Sequence, residues 1–408
     1  MKEWKEYTLD QLYTFGNGLS KGSKFFGYGY PFVSFKTVFK NYFLPDAIED
    51  FVDSDESERV KCSIQKGDVF LTRTSETVNE LGFSSVALKD YPMATFNGFT
   101  KRMRPIYANQ IDNLYAGYYF RSSRFRNQIC SMSNMVTRAS LSNEMLGRLT
   151  MVLPPLEVQI KIGNILYSLD RKIALNRQIN DNLEQQAKAL YKSWFVDFEP
   201  FKDGDFVESE LGLLPEGWKV AELSSVTKQI TEKVKDRTDV KVLSPVNTGE
   251  LVLSEEYFTK QVFSESVSKY IVVKPLQFAY NPARVNIGSL GMNTFTFDGC
   301  VSPVYVVFEC ESNYHHFFDY YRKTDGFKEE VLTRAIGGVR QTLSYKDFSL
   351  IKLVYPPQEV VEKFNSIYGK LLDNINSIKS ENTKLSDLRD TLLPKLMSGE
   401  LKINEIDC

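Results

Sequence analysis

The 408-residue sequence is 42% hydrophobic and 13% aromatic, enough to bury substantial cores in two or three domains, and its net charge of −2 excludes a surface that seeks polyanions everywhere. Five scattered cysteines without a C-x-x-C pair, and only two histidines, His315 and His316, leave little for a zinc site or for imidazole acid–base chemistry. The opening MKEWKEYTLD has no signal-peptide core and no apolar run approaches bilayer length, so reduced thiols, surface histidines, no membrane and a cytoplasmic location are expected.

Residues 1–153 read as a mixed α+β domain. WKEYTL alternates like a strand, GNGLSKGSKFFGYGYPF is a glycine-rich basic loop, Gly67 and Asp68 turn the chain into the strand VFLTR, and further strands lie near FSSVAL and ATFNGFTKRMRP. One helix is expected over about 113–131, then the basic loop MVTRASLS, a short helix and the strand RLTMVLPP. Between Lys101 and Arg148 eight basic residues face only Asp112 and Glu144, while Asp46, Glu49, Asp50, Asp53, Asp55, Glu56 and Glu58 crowd a separate loop, which predicts a positive face on this domain.

From 154 to 198 apolar residues recur at alternating steps of four and three: Ile162, Leu166, Leu169, Ile173, Asn176, Asn180, Leu183, Ala187, Leu190 and Trp194. This heptad seam predicts a helix of roughly 50 Å with one sticky stripe. Residues 199–217 read as an acidic, turn-rich linker. A second domain, 218–355, restarts at Trp218 as the first began at Trp4, and a second long helix is expected over 356–404 after Pro356 and Pro357. Adding 202 to the first seam lands on Phe364, Tyr368, Leu371, Ile375, Ile378, Asn382, Leu385, Arg389, Leu392 and Leu396, so the chain is an internal repeat of globular part plus helix. Antiparallel pairing centred on 178 and 380 sets Asn176 opposite Asn382, and seam asparagines, Asn180 included, would fix register at some cost in stability.

Catalytic motifs are missing where chemistry would need them. Asn281-Pro282-Ala283-Arg284 and Leu153-Pro154-Pro155-Leu156 do not fit a methyltransferase tetrapeptide, Gly16, Gly18, Lys21, Gly22 and Lys24 lack phosphate-loop spacing, and Pro45-Asp46 lacks the second half of a nuclease centre. The basic loops point to nucleic acid instead. Arg138 and Arg340 occupy matching loops, and Arg340-Gln341 suits guanine and adenine edges in the major groove. Thr72, Arg73 and Ser75 follow one strand as Asn281, Arg284 and Asn286 follow its counterpart, a placement that reads bases or binds phosphates, although such clusters are also ordinary loop polarity.

The two helix starts LPPLEVQIKIGNIL and YPPQEVVEKFNSIY, the FVDFEPF exit and the TLLPKLMSGEL tail resemble the specificity subunit of type I restriction-modification systems over nearly the whole chain. The resemblance implies a non-catalytic subunit with two target recognition domains on an antiparallel coiled coil. It implies double-stranded DNA as ligand, two DNA adenine methyltransferase subunits and restriction/translocase subunits as partners, and S-adenosylmethionine, ATP and Mg in those partners, with no cofactor in this chain. Candidate DNA contacts are Lys21, Lys24, Thr72, Arg73, Ser75, Arg102, Arg121, Arg124, Arg138 and Ser140 in the first domain. In the second they are Asn281, Arg284, Asn286, Arg322, Arg334, Arg340 and Gln341. Arg171, Arg177, Gln185 and Lys188 are candidates for the outer, subunit-binding surface of the coil. Readings from other classes are a coiled-coil scaffold that binds no DNA and a divergent stand-alone methyltransferase. Steeply salt-dependent duplex binding separates the first from the specificity reading, and methyl transfer by the isolated chain would favour the second.

Overall fold

A computed structural model describes residues 4–73, 80–133, 141–258, 264, 266–311, 313–335 and 342–401. The chain divides into two units, Met1–Gln178 with Lys379–Cys408, and Ile179–Ile378. The division falls within both long helices, so each unit contains part of each.

In the first unit the order is β1 (Lys5–Thr8), α1 (Leu9–Leu12), β2 (Tyr13–Asn17), β3 (Phe26–Val33), α2 (Phe35–Lys40), β4 (Phe51–Val52), α3 (Glu56–Lys61), β5 (Val69–Thr72), β6 (Ser84–Val86), β7 (Thr95–Phe96), β8 (Thr100–Pro105), α4 (Asn113–Tyr119), α5 (Ser123–Ser133), α6 (Asn143–Arg148), β9 (Thr150–Leu153) and the long α7 (Leu156–Phe195). Strands β2-β8-β5-β6 form one sheet, β4-β3-β7 a second, and β1 pairs with β9. Alternation along β5 splits the core. Val69 and Leu71 face a cluster with Met103, Tyr115, Tyr118, Tyr119 and Phe125, and Phe70 faces the other way onto Phe32, Val33 and Phe96. The single helix expected over 113–131 is two helices. Ser122 interrupts it, its Oγ donating to the Tyr119 carbonyl and accepting from the Phe125 amide, so the side chain ends one helix and caps the next.

The second unit repeats this wiring. Its elements are β10 (Phe206–Ser209), β11 (Gly212–Pro215), β12 (Lys219–Glu222), β13 (Thr227–Ile230), β14 (Lys241–Pro245), β15 (Leu251–Leu253), α8 (Ser254–Tyr257), β16 (Ile271–Val273), β17 (Phe278–Tyr280), β18 (Leu290–Met292), β19 (Gly299–Val301), β20 (Val306–Cys310), α9 (His315–Tyr321), α10 (Asp325–Arg334), α11 (Tyr345–Phe348), β21 (Lys352–Tyr355) and α12 (Gln358–Ser398). The sheet β13-β20-β17-β18 matches β2-β8-β5-β6, β12-β21 matches β1-β9, and β14 runs parallel to β19 as β3 runs parallel to β7. The segment expected as a linker contains an antiparallel hairpin, β10 with β11.

Both long helices follow paired prolines, and the Pro155 carbonyl accepts from the amides of Val158 and Gln159. Every seam position predicted from the heptad pattern is buried or half-buried. Within each unit the helices run antiparallel. In the first, Asp170 meets Arg389 and Asn176 meets Asn382; in the second, Asn180 meets Ile375 and the Tyr191 ring lies 6.2 Å from that of Phe364. Gly163 lets α7 rest on α4: a Cβ there would lie 2.8 Å from Leu114 Cβ and 2.9 Å from the Tyr115 amide nitrogen. At the position 202 residues on stands Asn365, whose amide donates to the Asn313 carbonyl at 2.5 Å.

Candidate nucleic-acid interface

In the first unit, β2 ends, β5 ends and β8 begins at the same edge of the sheet, because β8 is antiparallel to both neighbours. The register sets Asn17 across from Lys101 and Lys101 across from Leu71, with Thr72 and Arg73 next along the chain. Lys101 is 4% exposed, and its Nζ donates to Asn17 Oδ1 at 2.5 Å and to Asn143 Oδ1 at 2.6 Å. Both asparagines are themselves exposed. The Arg73 amide donates to the Phe99 carbonyl, which brings the 63% exposed Phe99 to the same rim, and the Arg73 carbonyl accepts from Leu141. The buried Nε of Arg73 has no partner among the described residues. Burial pulls the Lys101 ammonium below the ordinary lysine range, and the Arg73 charge adds to the effect.

The second unit builds the corresponding edge from other residues. Asn281 and Pro282 follow β17, and the Pro282 carbonyl accepts from Leu343 as Arg73 accepts from Leu141. A turn from Asn281 to Ser289 is closed by Arg284 N–H to Asn281 O, Gly288 N–H to Val285 O and Ser289 N–H to Arg284 O. It leaves Arg284 and Ile287 exposed. Gly288 is required at the end of this turn: its φ is +94°, and a Cβ would stand 2.8 Å from the Asn247 carbonyl oxygen. Tyr305 lies close enough to feel Arg284 and Asn281, although burial, the larger effect, raises its phenol.

Other sequence candidates are engaged inside the fold. Arg121, expected on a helix surface, donates Nε to Ser84 O at 2.8 Å and Nη2 to the carbonyls of Val38, Phe39 and Asn41 at 2.9 to 3.0 Å, satisfying the open C-terminal end of α2. Burial lowers it to about 10, still charged at neutral pH. Arg102 donates to Ser63 O and lies over the Phe96 ring, and Thr72 is fully buried with its hydroxyl on Glu80 O. Arg322 binds Asp319 at 2.5 Å and Leu290 O at 2.8 Å; burial would raise the Asp319 carboxyl, but Arg322, Lys323 and the Tyr368 hydroxyl hold it well below the usual carboxylate range. Arg334 pairs with Glu330, and Lys21 with Glu58 and the Asp53 carbonyl. Lys24 and Arg124 are exposed, Lys24 stacked on Phe25, and Asn286 is half-buried in the Asn281–Ser289 turn. Ser75, Arg138, Ser140, Arg340 and Gln341 lie outside the described residues. Lys101, Asn17, Asn143 and Phe99 were not singled out from sequence as contacts; the period-two alternation of β2 and β8 could have paired Asn17 with Lys101, but Asn143 arrives from a helix 42 residues away.

The paired helices carry a polar layer in the first unit. Asn176 Nδ2 donates to Asn382 Oδ1 at 2.9 Å and to Glu381 Oε2 at 2.7 Å, the Asn176–Asn382 pairing expected from a centre at 178 and 380. One step away Tyr118 Oη donates to Asp170 Oδ2 at 2.6 Å while Arg389 pairs with Asp170 Oδ1 at 2.7 Å. Asn180 Nδ2 reaches Ile375 O at 3.4 Å. Arg171, Arg177, Gln185 and Lys188 point outward. His315 and His316, expected as plain surface residues, are half-buried, with the His316 ring 5.7 Å from Tyr368. Among the described residues no group of three or more His, Cys, Asp or Glu could hold a metal.

Residues 1–185 match the family described as the type I restriction modification DNA specificity domain. The chain is 26% identical over 360 residues to the type I restriction enzyme MjaIX specificity subunit of Methanocaldococcus jannaschii, covering 85% of this chain and 81% of that one. It is 23% identical over 482 residues to the type I restriction enzyme HindI specificity subunit of Haemophilus influenzae, covering 98% and 100%. Its fold is similar to the crystal structure of the type I restriction-modification system S subunit from M. genitalium, with a TM-score of 0.63 at 14% identity over 97% and 96% of the two chains. The family match spans the first unit's sheets and these relatives align through the second, so along its length the chain is similar to the DNA specificity subunits of type I restriction-modification systems.

Proposed function

We propose that each unit reads one half of a bipartite duplex target through its exposed sheet end. The chain is the recognition component and not the catalyst, as its relatives' names indicate. It delivers the selected site to two adenine methyltransferase subunits and to ATP-driven restriction subunits, which bring S-adenosylmethionine, ATP and Mg. No helix among the described residues is long and apolar enough to cross a membrane, and we place the chain in the cytoplasm with the DNA it reads.

One observation carries this reading: the same sheet in both units ends in cations and amides, and no carboxylate among the described residues pairs with Arg73, Lys101 or Arg284. Cations and amide N–H groups hold the phosphate backbone and set the register, and amides whose oxygens are free can also discriminate base edges. Because Asn17, Arg73, Lys101 and Asn143 in one unit are replaced by Asn281, Arg284 and Tyr305 in the other, the two half-sites differ and the target is asymmetric.

The test is to express the chain with its methyltransferase and map adenine methylation across a genome. The expected result is methylation confined to two different short words separated by a constant gap. Methylation that follows a single contiguous word, or that tolerates any gap, overturns the proposal.

A further inference from the structure

Lys101 is the one lysine of the first unit that the described structure buries, and what surrounds it is unusual for a buried charge. A buried ammonium ordinarily faces a carboxylate, because neutral partners leave much of its desolvation cost unmet. Here the two acceptors are the neutral amides of Asn17 and Asn143, and Arg73 sits close enough to add a second positive charge. An ammonium has only donors, so the amide atoms turned toward it are the oxygens. Each Nδ2 is thereby turned away from the lysine, on a residue that is exposed, and neither nitrogen has a partner among the described residues.

We infer that Lys101 is a positioning residue, holding Asn17 and Asn143 so that their amide N–H groups, with the Arg73 guanidinium, form a donor-only seat for one phosphate of the DNA backbone. The inference rests on the DNA-reading function proposed above and adds what the first unit's sheet end grips. A donor-only surface backed by a buried cation is complementary to an oxyanion, and the phosphate supplies the negative charge that Lys101 lacks in the free protein. Adenine recognition would need the amide oxygens as well, and these are already committed to Lys101.

The experiment uses the full chain co-expressed with its methyltransferase. The probes are a duplex bearing the mapped site and a random-sequence duplex of equal length, each titrated over a range of salt. Asn143→Asp and Asn17→Asp keep an oxygen on Lys101, so their thermal midpoints should be unchanged or higher. Each turns an outward donor into an acceptor, and affinity should fall about ten- to a hundredfold on both duplexes. Lys101→Met should reduce the slope of log affinity against log salt by about 0.9, the value of one phosphate contact.

If the aspartate variants bind as wild type does while only Lys101→Met loses thermal stability, Lys101 is structural and the inference falls. Loss confined to the mapped site, at one base pair, also overturns it by assigning the seat to a base edge. A wild-type complex that binds neither duplex would refute the DNA-reading proposal itself, a result distinct from either.

Discussion

Arg121 and Lys101 are both cations in a basic stretch, yet the fold uses them in opposite ways. Arg121 meets four backbone carbonyls, of Ser84, Val38, Phe39 and Asn41, and its charge is spent within the core. Replacing it with methionine strands the carbonyls of α2, and the expected outcome is a loss of about 3 kcal/mol, read as a lowered thermal midpoint, with the DNA sequence preference of surviving protein unchanged. A charge count cannot separate the two cases, since burial is decided by partners more than 30 residues away. His315 provides a pH test at the same scale. Burial, and then the neighbouring His316, pull it down to about 4 against Asp319, so the folded state prefers the neutral ring. The unfolded chain binds a proton below about 6.5, whereas the fold resists until about 4. Stability is therefore flat above neutrality, falls as pH drops through that window and levels off below it. After allowance for its partial exposure the effect should be about 1–2 kcal/mol. Denaturant midpoints measured from pH 7 to 4 should show this decline in wild type and a shallower one in His315→Asn.

The long helices were the most legible elements, because a strict repeat of 3.5 residues leaves one narrow stripe that must find an equivalent stripe. The seam residues from Ile162 to Trp194 and from Phe364 to Leu396 are withdrawn from solvent as that logic requires. What the pattern could not reveal is how the globular parts grip the helices. Gly163 looks like a weak point in a helix, yet its missing side chain is where α4 makes contact. Gly163→Ala improves helix propensity but should lower stability by about 1–3 kcal/mol, because Leu114 Cβ and the Tyr115 backbone cannot move aside cheaply. A raised thermal midpoint would show that α4 does not seat there. The break between α4 and α5 was equally hidden: it depends on one serine hydroxyl, and apolar periodicity runs straight through it.

For the chain as a whole, repetition of the strand order is the strongest single pattern. Its outline was visible in the 202-residue offset of the helices and in the Trp4 and Trp218 starts, because framework positions carry core residues whose types are constrained by packing. The sheet ends were only partly visible. Arg73, Asn281 and Arg284 lie where strand-ending polar clusters suggested, whereas the Asn17–Lys101–Asn143 group required a cross-strand register and a distant helix. If each sheet end serves its own half-site, Arg284→Ala should relax methylation or lower it at one half-site only, leaving the other word intact. A genome-wide methylation map shows this directly, and equal weakening of both words would contradict independent reading.

The Asp170 cluster has a further consequence for assembly. Its carboxylate sits on the first helix, its guanidinium, Arg389, on the second, and 202 residues before Arg389 stands Ala187, which carries no charge. Two copies of the first helix laid against each other in the same register would each leave an acid facing a methyl group. The buried ion pair of the second unit, Asp319 with Arg322 and the Tyr368 hydroxyl, is built around α9 and α12 and takes no partner from the first helix among the described residues. The two long helices are thus plug and socket and not interchangeable, and a stray fragment of the first half is a poor substitute for the intact chain's own returning helix.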